Sequence, residues 1–521
     1  MKTPSDELFM LIKSLNRYEK RHFKAASRHG RGQEAKEHTA YLSLFDALDS
    51  MDSYSEQELL SRLKKSGGPE KLKRIKSYLQ ESILRFLEAY YVDYSIEIQL
   101  QRHLQRIEVL LEKRLYEMAW KVIGRAEKLA MENENYLYLL ILLDWKRKAI
   151  LRQVDIPLIN EYLKSGFDVE IESLELYRNL IGFRKLNFQQ DAILKTRFEG
   201  ADENSIRELK GLLNSPLLKD TGMARSKRAL GLYWAILGNT YIYFKEDWEK
   251  SNNCYKKAIA VHEEAALCQN ENARIYLGLL SGLSTTEILL KRPVELKATV
   301  EKAKAFFNRQ PKKMQTGNLQ NQYMGILINY ISFQVEQFNL DQALEQSENA
   351  KDFIDKFGDE VIYLVFYANY AITAFFLKDY HLSLKSINKI LAREKTKVRQ
   401  DIVNDFRIYN LLVHYELGND DLLPNLTKST RNLLSKGHVL NPAEVLILDF
   451  FEKKIHKTFS RQERKQLYHS VSEQLEGLIS TQKPPYNQRH YSFLQEWFES
   501  KTENASFLEW SKHKTLKEPT R

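Results

Sequence analysis

Glycine and proline, the residues that most often interrupt helices, are scarce in this sequence. The 521 residues include 20 glycines and 11 prolines, against average usage of about 7% and about 5%. Charged residues make up 28% and hydrophobic residues 43%, a balance typical of helices with one apolar and one polar face. The composition therefore predicts a soluble, nearly all-α protein.

Cysteine is almost absent as well. Cys254 and Cys268 have no second pair beside them, which argues against a zinc site. So few cysteines fit a reducing compartment. The opening MKTPSDELFM has no apolar core of signal-peptide length, so export is not indicated. We therefore expect a cytoplasmic protein.

The sequence also lacks an apolar run long enough for a membrane span. Its longest one, residues 361–377, is shorter than the roughly 20 residues that a spanning helix needs. It contains Asn369 and several tyrosines, and charged residues stand on both sides of it. We expect this run to form a helix buried among other helices, and we expect no association with a membrane.

One helical spacing recurs at four places. Each occurrence begins with a large residue, and a small residue follows three positions later. Four positions further comes a residue that wedges against the preceding helix, and a small or apolar residue follows after three more. A short polar turn precedes each occurrence. Steps of three and four place side chains on one helix face, and the small residue allows the preceding antiparallel helix to approach closely. The four occurrences are Tyr116-Ala119-Ile123-Ala126, Trp248-Ser251-Tyr255-Ala258, Leu340-Ala343-Ser347-Ala350 and Tyr380-Ser383-Ile387-Ile390.

Each occurrence is predicted to be the second helix of a helix hairpin. The predicted second helices lie near 117–130, 248–264, 294–308, 341–355 and 381–393. Coiled coils and simple bundles also combine large and small residues at helical spacing. They do not repeat the turn, the large leading residue, the small residue and the wedge together, so we favour an array of hairpins.

The helix before the second occurrence carries a known pattern. Trp234, Leu237, Gly238 and Tyr241 follow the W-x2-L-G-x2-Y spacing, and on these residues the chain resembles the tetratricopeptide-repeat (TPR-like) superfamily, most closely over residues 231–265. The spacing of about 40 to 47 residues after position 303 departs from the regular 34. A partial match, with a small residue in the place of the glycine, precedes the last occurrence at Tyr367, Tyr370 and Ala371.

The whole chain is also similar to a group of bacterial helical-repeat proteins. The similarity lies in the N-terminal stretch LIKSLNRYEKRHFK, residues 11–24, and in the late turn YELGNDDLL, residues 415–423. This second resemblance implies no activity.

Together these resemblances imply an all-α fold, a right-handed α-solenoid of stacked antiparallel helix hairpins. An N-terminal helical domain with basic faces is expected to precede it, and C-terminal capping helices are expected to close it. The expected divisions are the N-terminal domain 1–95, a first repeat-like hairpin 96–160, an irregular helical segment 161–220, TPR-like repeats 221–437, and capping helices with a tail 438–521.

The N-terminal domain carries a basic helix face. The Thr3-Pro4-Ser5-Asp6 opening is a good helix start, and we expect one helix from there to about Ala26. Its basic side chains recur at helical spacing, and they are candidate contacts for an anion or a nucleic acid. These residues are Arg17, Lys20, Arg21, Lys24 and Arg28.

A second basic run, residues 62–76, lies between a predicted short helix after Ser55 and a predicted long helix over 69–93. This arrangement can mimic a DNA-reading helix-turn-helix. The long helix, however, has a full core-facing stripe, and Asn or Gln beside Arg is missing from its start. A solvated basic face or a dock for an anionic partner is favoured over sequence-specific DNA binding.

Catalytic patterns do not emerge. The stretch SGGPEKLK lacks the ending of a phosphate-binding loop, and His262-Glu263 is not followed by the second histidine of a zinc protease. No nucleophile stands out beside a base. We therefore expect no enzyme activity, no metal and no cofactor.

The resemblance implies a concave groove lined by the first helix of each hairpin. Asn239 occupies the position at which family members often hold a peptide backbone, because a carboxamide both donates and accepts hydrogen bonds. An asparagine there can also bridge helices. Tyr243, Asn369 and Phe376 fall at comparable inward positions.

These features predict a non-enzymatic scaffold or adaptor that binds a protein or peptide in the groove. The alternative is a regulator whose repeats sense a peptide or protein while its basic N-terminal helices bind nucleic acid. The oligomeric state does not follow from these features.

Overall fold

The computed structural model describes most of the chain, and its regular secondary structure there is helical, with no strand. This confirms the predicted all-α class. The residues that it describes are 6–27, 33–62, 69–91, 95–197, 203–242, 247–264, 272–311, 315, 317–393, 398–437, 440–455, 460–481 and 488–517.

The N-terminal helices enclose a hydrophobic cluster of their own, which includes Ile12, Phe23, Phe45 and Leu79. The predicted short and long helices around the second basic run are present, as α4 and α5. The helices of this part are α1 (Glu7–Ser14), α2 (Arg17–Ala26), α3 (Gln33–Asp49), α4 (Glu56–Arg62) and α5 (Pro69–Tyr91).

The prediction of one uninterrupted helix to Ala26 is wrong. Leu15 adopts an extended conformation with φ −67° and ψ 131°, and a new helix begins after Asn16. The Asn16 side chain accepts hydrogen bonds from the backbone of Tyr18 and Glu19, and the Glu19 carboxylate accepts one from the Asn16 backbone. This reciprocal cap stabilises a second helix start. Residues 3–5 of the predicted opening lie outside the described residues.

The next part of the chain contains the longest described helix, α10, with 31 residues. A single π-helical turn, Tyr162–Gly166, joins it to α9. Between residues 155 and 220 the sequence carries helical patterns but no repeat signature. The helices are α6 (Ile96–Glu112), α7 (Tyr116–Glu132), α8 (Tyr136–Gln153), α9 (Ile156–Glu161), α10 (Phe167–Arg197), α11 (Glu203–Leu213) and α12 (Lys227–Thr240).

The following helices pack in consecutive pairs. Along the whole repeat region, the five predicted second helices match α7, α13, α15, α17 and α19 to within a few residues. The helices are α13 (Trp248–Glu264), α14 (Ala273–Leu289), α15 (Pro293–Arg309), α16 (Gly317–Glu336), α17 (Leu340–Phe357), α18 (Glu360–Phe376), α19 (Tyr380–Leu391), α20 (Gln400–Glu416) and α21 (Leu423–Gly437).

The C-terminal helices share one hydrophobic cluster with α18 to α21, in which Trp497 and Phe498 are fully buried. They therefore cover the end of the paired helices instead of forming a separate unit. They are α22 (Pro442–Asp449), α23 (Arg461–Thr481), α24 (Gln488–Glu503) and α25 (Phe507–Lys517).

The same turn joins many of the pairs. The central residue of the turn has a left-handed backbone conformation. Its N–H and the N–H of the next residue donate hydrogen bonds to carbonyls in the last turn of the first helix, as in a Schellman motif. In the α18–α19 turn, Lys378 has φ 62° and the Asp379 N–H donates to the Ala374 carbonyl at 2.9 Å. The residues at the central position are Arg114, Glu134, Lys291, Phe338, Lys378, Gly418 and Asn504.

The recurring spacing begins at the first residue of its helix in all four occurrences: Tyr116, Trp248, Leu340 and Tyr380. The small residue three positions later is fully buried each time. This packing of helices in consecutive pairs is consistent with the predicted helical solenoid.

Candidate functional site

The basic face of α2 is held against α3 by ion pairs. The Lys20 ammonium lies 2.6 Å from an Asp49 carboxylate oxygen, and the Lys24 ammonium lies 2.5 Å from an Asp46 oxygen. Lys24 also stands 5.1 Å from the centre of the Phe45 ring. Two of the five residues of the predicted basic stripe, Lys20 and Lys24, therefore have a structural role in joining α2 to α3.

Arg17 and Arg21 are different, because both are exposed. Within the described residues, no carboxylate lies at ion-pair distance from either guanidinium. Guanidinium groups bind carboxylates and phosphates through two parallel N–H donors. These two arginines therefore keep their donors available for an anion.

Both arginines line a cleft of about 1420 Å³ between the N-terminal helices and the α16–α17 hairpin. The α1–α2 side contributes Lys13 and the basic stripe, and the opposite side contributes Lys356 with Gly317, Gln320 and Phe357. The cationic side chains that line this basic cleft are Lys13, Arg17, Lys20, Arg21, Lys24 and Lys356.

Two acidic side chains also line the cleft, and both are engaged within the fold. Glu19 is buried, accepts from the Asn16 backbone at 2.6 Å and binds the Tyr91 hydroxyl. Asp49 pairs with Lys20. The surface of the cleft is therefore strongly cationic, and its attraction for anions weakens as salt screens it.

Two aromatic side chains are exposed among these cations. Tyr18 is 54% exposed and Phe357 is 36% exposed, and they stand on the two sides of the cleft. Exposed rings next to cations offer flat apolar contact area together with charge. The basic stripe is visible in the sequence, but the opposite wall and these rings are not, since only the fold brings residues 317–357 to residues 13–25.

Of the five predicted anion contacts, the structure places Arg17, Lys20, Arg21 and Lys24 in the cleft. Arg28 lies outside the described residues. In the second basic run, Lys76 is bound to the Glu56 carboxylate at 2.6 Å and to the Tyr54 hydroxyl at 2.9 Å. Lys76 is therefore a structural side chain that joins α5 to the start of α4.

Asn239, the main predicted groove residue, lies in a hydrogen-bond network between helices. Its Nδ2 donates to Gln190 Oε1 at 3.1 Å, and its Oδ1 accepts from the Tyr255 hydroxyl at 2.5 Å. Gln190 is fully buried and donates to the Ile236 carbonyl and to Thr240 Oγ1, both at 2.9 Å. Asn239 thus bridges α10 and α13, which is the second role that the sequence left open.

The other groove residues do not meet at one site. Asn369 donates from Nδ2 to the Val365 carbonyl within its own helix at 2.9 Å. Phe376 is buried, and its ring stacks on Phe507 with centroids 4.8 Å apart while it meets Phe493 edge-on. The C-terminal helices α24 and α25 thus cover Phe376. Tyr243 lies outside the described residues.

Within the residues that the structure describes, no group of histidine, cysteine, aspartate or glutamate side chains has the arrangement of a metal site. No described helix combines the length and the apolarity that crossing a membrane requires. The basic cleft is the arrangement that carries the predicted contact residues.

Comparison of the sequence with protein-family models finds no match, and comparison with curated proteins finds no significant match either.

Proposed function

We propose that this chain is a non-enzymatic helical scaffold that binds an acidic segment of a partner protein in its basic cleft. The observation that carries the proposal is the convergence of six cationic side chains from α1, α2 and α17 on one cleft. Lys20 and Lys24 are paired with Asp49 and Asp46, whereas Arg17 and Arg21 have no carboxylate at ion-pair distance within the described residues. An unbalanced cationic cleft raises the local concentration of an anionic partner and speeds its association.

Paired helices support the scaffold part of the proposal. Helices that pack on their neighbours along the chain build an extended surface from many small units, and such surfaces bind proteins and peptides. We infer that the pairs stack as a right-handed, TPR-like solenoid. Binding at Asn239 in its groove would require a ligand to replace the bonds to Gln190 and Tyr255, so the basic cleft is the preferred place for the partner.

Single-stranded nucleic acid is a second candidate ligand, and the exposure of Tyr18 and Phe357 favours it. Grooves for single strands combine cations that follow the backbone with rings on which bases stack. An acidic peptide needs the cations and gains less from the rings. The two candidates therefore differ in how far binding depends on Tyr18 and Phe357.

The test uses the full chain and two fluorescent probes, a polyglutamate peptide and an oligothymidylate. The variant R17E/R21E reverses two exposed charges of the cleft, and K297E/K304E reverses two exposed charges on α15 as a control with the same net charge. We expect fluorescence anisotropy to show tight binding of one probe, weakened at least tenfold by R17E/R21E and little changed by the control.

The outcomes separate the candidates. Preference for polyglutamate, with little effect of Y18A/F357A, supports the acidic partner. Preference for oligothymidylate, with a strong effect of Y18A/F357A, supports nucleic acid instead. Equal weakening by R17E/R21E and by K297E/K304E would show that net charge alone attracts the probes, and the cleft would lose its assigned role.

A further inference from the structure

Helix α10 carries an apolar stripe on the side that faces solvent. Its members are between 41% and 76% exposed, which is unusual for such large side chains in one row. Exposed apolar residues are common singly, but a contiguous row indicates an interaction surface. The stripe consists of Phe167, Ile171, Leu174, Ile181 and Phe188.

The spacing of this α10 stripe is that of a coiled-coil seam. From Phe167 to Phe188 the positions follow alternating steps of four and three, and Arg178 and Lys185 occupy the two positions without an apolar residue. Both are exposed, and their long stems can cover apolar surface while the charges stay in water. The seam is about 32 Å long at 1.5 Å per residue, and a repeat of seven residues fits a helix as its partner.

The opposite face of α10 accounts for the position of the helix in the fold. Leu180, Phe183 and Gln190 are buried there against the helices that precede and follow α10. Internal packing therefore explains that face, and it leaves the α10 stripe uncovered by the described residues. The apolar residues of the α10 stripe therefore have no role in packing against the other described residues.

The charges of α10 are distributed unevenly along its length. The first part carries Asp168, Glu170, Glu172 and Glu175, and the part from Arg178 to Phe188 carries only the bases Arg178, Arg184 and Lys185. Two copies of this helix side by side in parallel would place acid on acid and base on base. Two copies in antiparallel orientation place the acidic part of each against the basic part of the other.

We propose that the α10 stripe is the interface of a homodimer in which α10 pairs antiparallel with α10 of a second copy. An antiparallel pair has a two-fold axis across the helix, so one self-complementary surface serves both copies. Glu170 and Glu172 are already paired with Arg147 and Arg225, and Glu175 lies 3.7 Å from Arg178 of its own helix. Asp168 has no ion pair within the described residues, and it is the acid that we expect to contact the basic part of the second copy.

The length of the seam determines how tightly the two copies are expected to bind each other. A single helix pair of about three heptads buries less surface than a standard stable interface. The helices are already folded before association, so no backbone has to be ordered, and the remaining costs are the lost rigid-body freedom and the ordering of interface side chains. We therefore expect a dimer with a dissociation constant on the order of micromolar.

The first experiment measures the mass of the full chain by sedimentation at concentrations from about 1 to 100 µM, the range around the expected dissociation constant. We expect twice the monomer mass at the upper end. The variant I171E/I181E places carboxylates in the seam, and we expect it to remain a monomer over the whole range. The control V294E places a single carboxylate at an exposed valine on α15 and should dimerise as the wild type does.

A second measurement tests the orientation. A spin label on Q189C, in a chain with both native cysteines replaced by serine, should give an interchain distance of about 35 Å if the helices are antiparallel. A parallel pair would bring the labels to about 10 Å. A monomer at 100 µM, a dimer unaffected by I171E/I181E, or the short distance would each overturn the proposal. Capture of a different protein's helix by a monomeric chain would assign the α10 stripe to that partner instead.

Discussion

The hydroxyl of Ser383 donates a hydrogen bond to the backbone carbonyl of Ala371, at 2.9 Å, across the α18–α19 hairpin. Ser251 makes the same bond to the carbonyl of Gly238, at 2.7 Å, between α12 and α13. Both serines are fully buried. The small residue of the recurring spacing thus fixes the distance between two helices in two ways, by its size and by a bond to the backbone.

Replacing Ser383 with leucine is expected to destabilise the α18–α19 pair. The larger side chain must displace the Ala371 backbone, and overpacking of this kind typically costs about 1–3 kcal/mol, in addition to about 1 kcal/mol for the lost hydrogen bond. Ser383→Ala should lose only the second contribution. Urea unfolding of the two variants measures the difference, with exposed Lys385→Ala as the reference that should stay within about 0.5 kcal/mol of wild type.

Gly282→Ala is expected to destabilise the packing around Tyr255. A Cβ atom at Gly282 would lie 2.3 Å from the Tyr255 ring, which is far closer than atoms can approach. The ring already meets Gly238 on its other side, so it has no room to move away. We expect a loss of about 2 kcal/mol or more.

Gly278 in the same helix supplies the control, because a Cβ there meets its nearest atom only at 3.9 Å. Alanine is a better helix former than glycine, so Gly278→Ala should raise the urea midpoint by an amount that corresponds to about 0.5–1 kcal/mol. Opposite signs for the two substitutions would support the wedge role of Tyr255. A gain of stability with Gly282→Ala would contradict it.

The repeated helix pairs were predictable because their signal is local. The starting residue of α13, Trp248, and its small residue Ser251 lie within one helical turn, and the full burial of Ser251 follows from periodicity alone, while Trp248 is half-buried. The break between α1 and α2 was also readable, since Asn16 and Glu19 have the spacing of a capping box. Apolar residues at helical spacing continue across that break, from Leu8, Ile12 and Leu15 to Phe23, and this periodicity favours one uninterrupted helix.

The sites were less predictable because their signals are not local. Lys356 reaches the basic cleft only through the fold, and Gln190 reaches Asn239 across forty-nine positions of sequence. The repeated turn between helices was hidden for another reason. Its left-handed position is held by lysine, arginine or phenylalanine at most places instead of the glycine that usually marks it.

The buried carboxyl of Glu287 is expected to make stability depend on pH. Burial raises the pKa of Glu287 to about 7 from an ordinary value of 4.5, although Thr299 donates a hydrogen bond to Oε1 at 3.0 Å. A carboxyl with a raised pKa binds more protons in the folded state than in the unfolded state. The free energy of unfolding therefore decreases as pH rises from about 4.5 to about 7, by up to about 3 kcal/mol, and changes little from this group above that.

Glu287→Gln should remove this dependence, because glutamine stays neutral at every pH. Urea unfolding at pH 5, 6, 7 and 8 measures the slope for wild type, for Glu287→Gln and for the exposed Glu345→Gln as control. The control should keep the wild-type slope. An unchanged slope in Glu287→Gln would mean that Glu287 is ionised in the folded protein at pH 5.

The two walls of the basic cleft should contribute equally to binding an anion if both contact it. Lys13 belongs to α1 and Lys356 to α17, and each lies on the surface of the cleft. Neutralising one cation that contacts a polyanion reduces the slope of log affinity against log salt by about 0.7–0.9. We therefore expect Lys13→Ala and Lys356→Ala each to reduce the slope by about that amount with the probe that binds, and exposed Lys385→Ala on α19 to leave it unchanged.

The combination of both substitutions is the more informative variant. If one anion contacts both walls at once, the two reductions in slope should add. The slope of the double variant should then fall by about twice as much as that of either single variant. If Lys356→Ala keeps the wild-type slope while Lys13→Ala reduces it, the anion binds only at α1 and α2. The anion would then bind to one face of the N-terminal helices, and the α16–α17 wall, with the ring of Phe357, would have no part in recognising the partner.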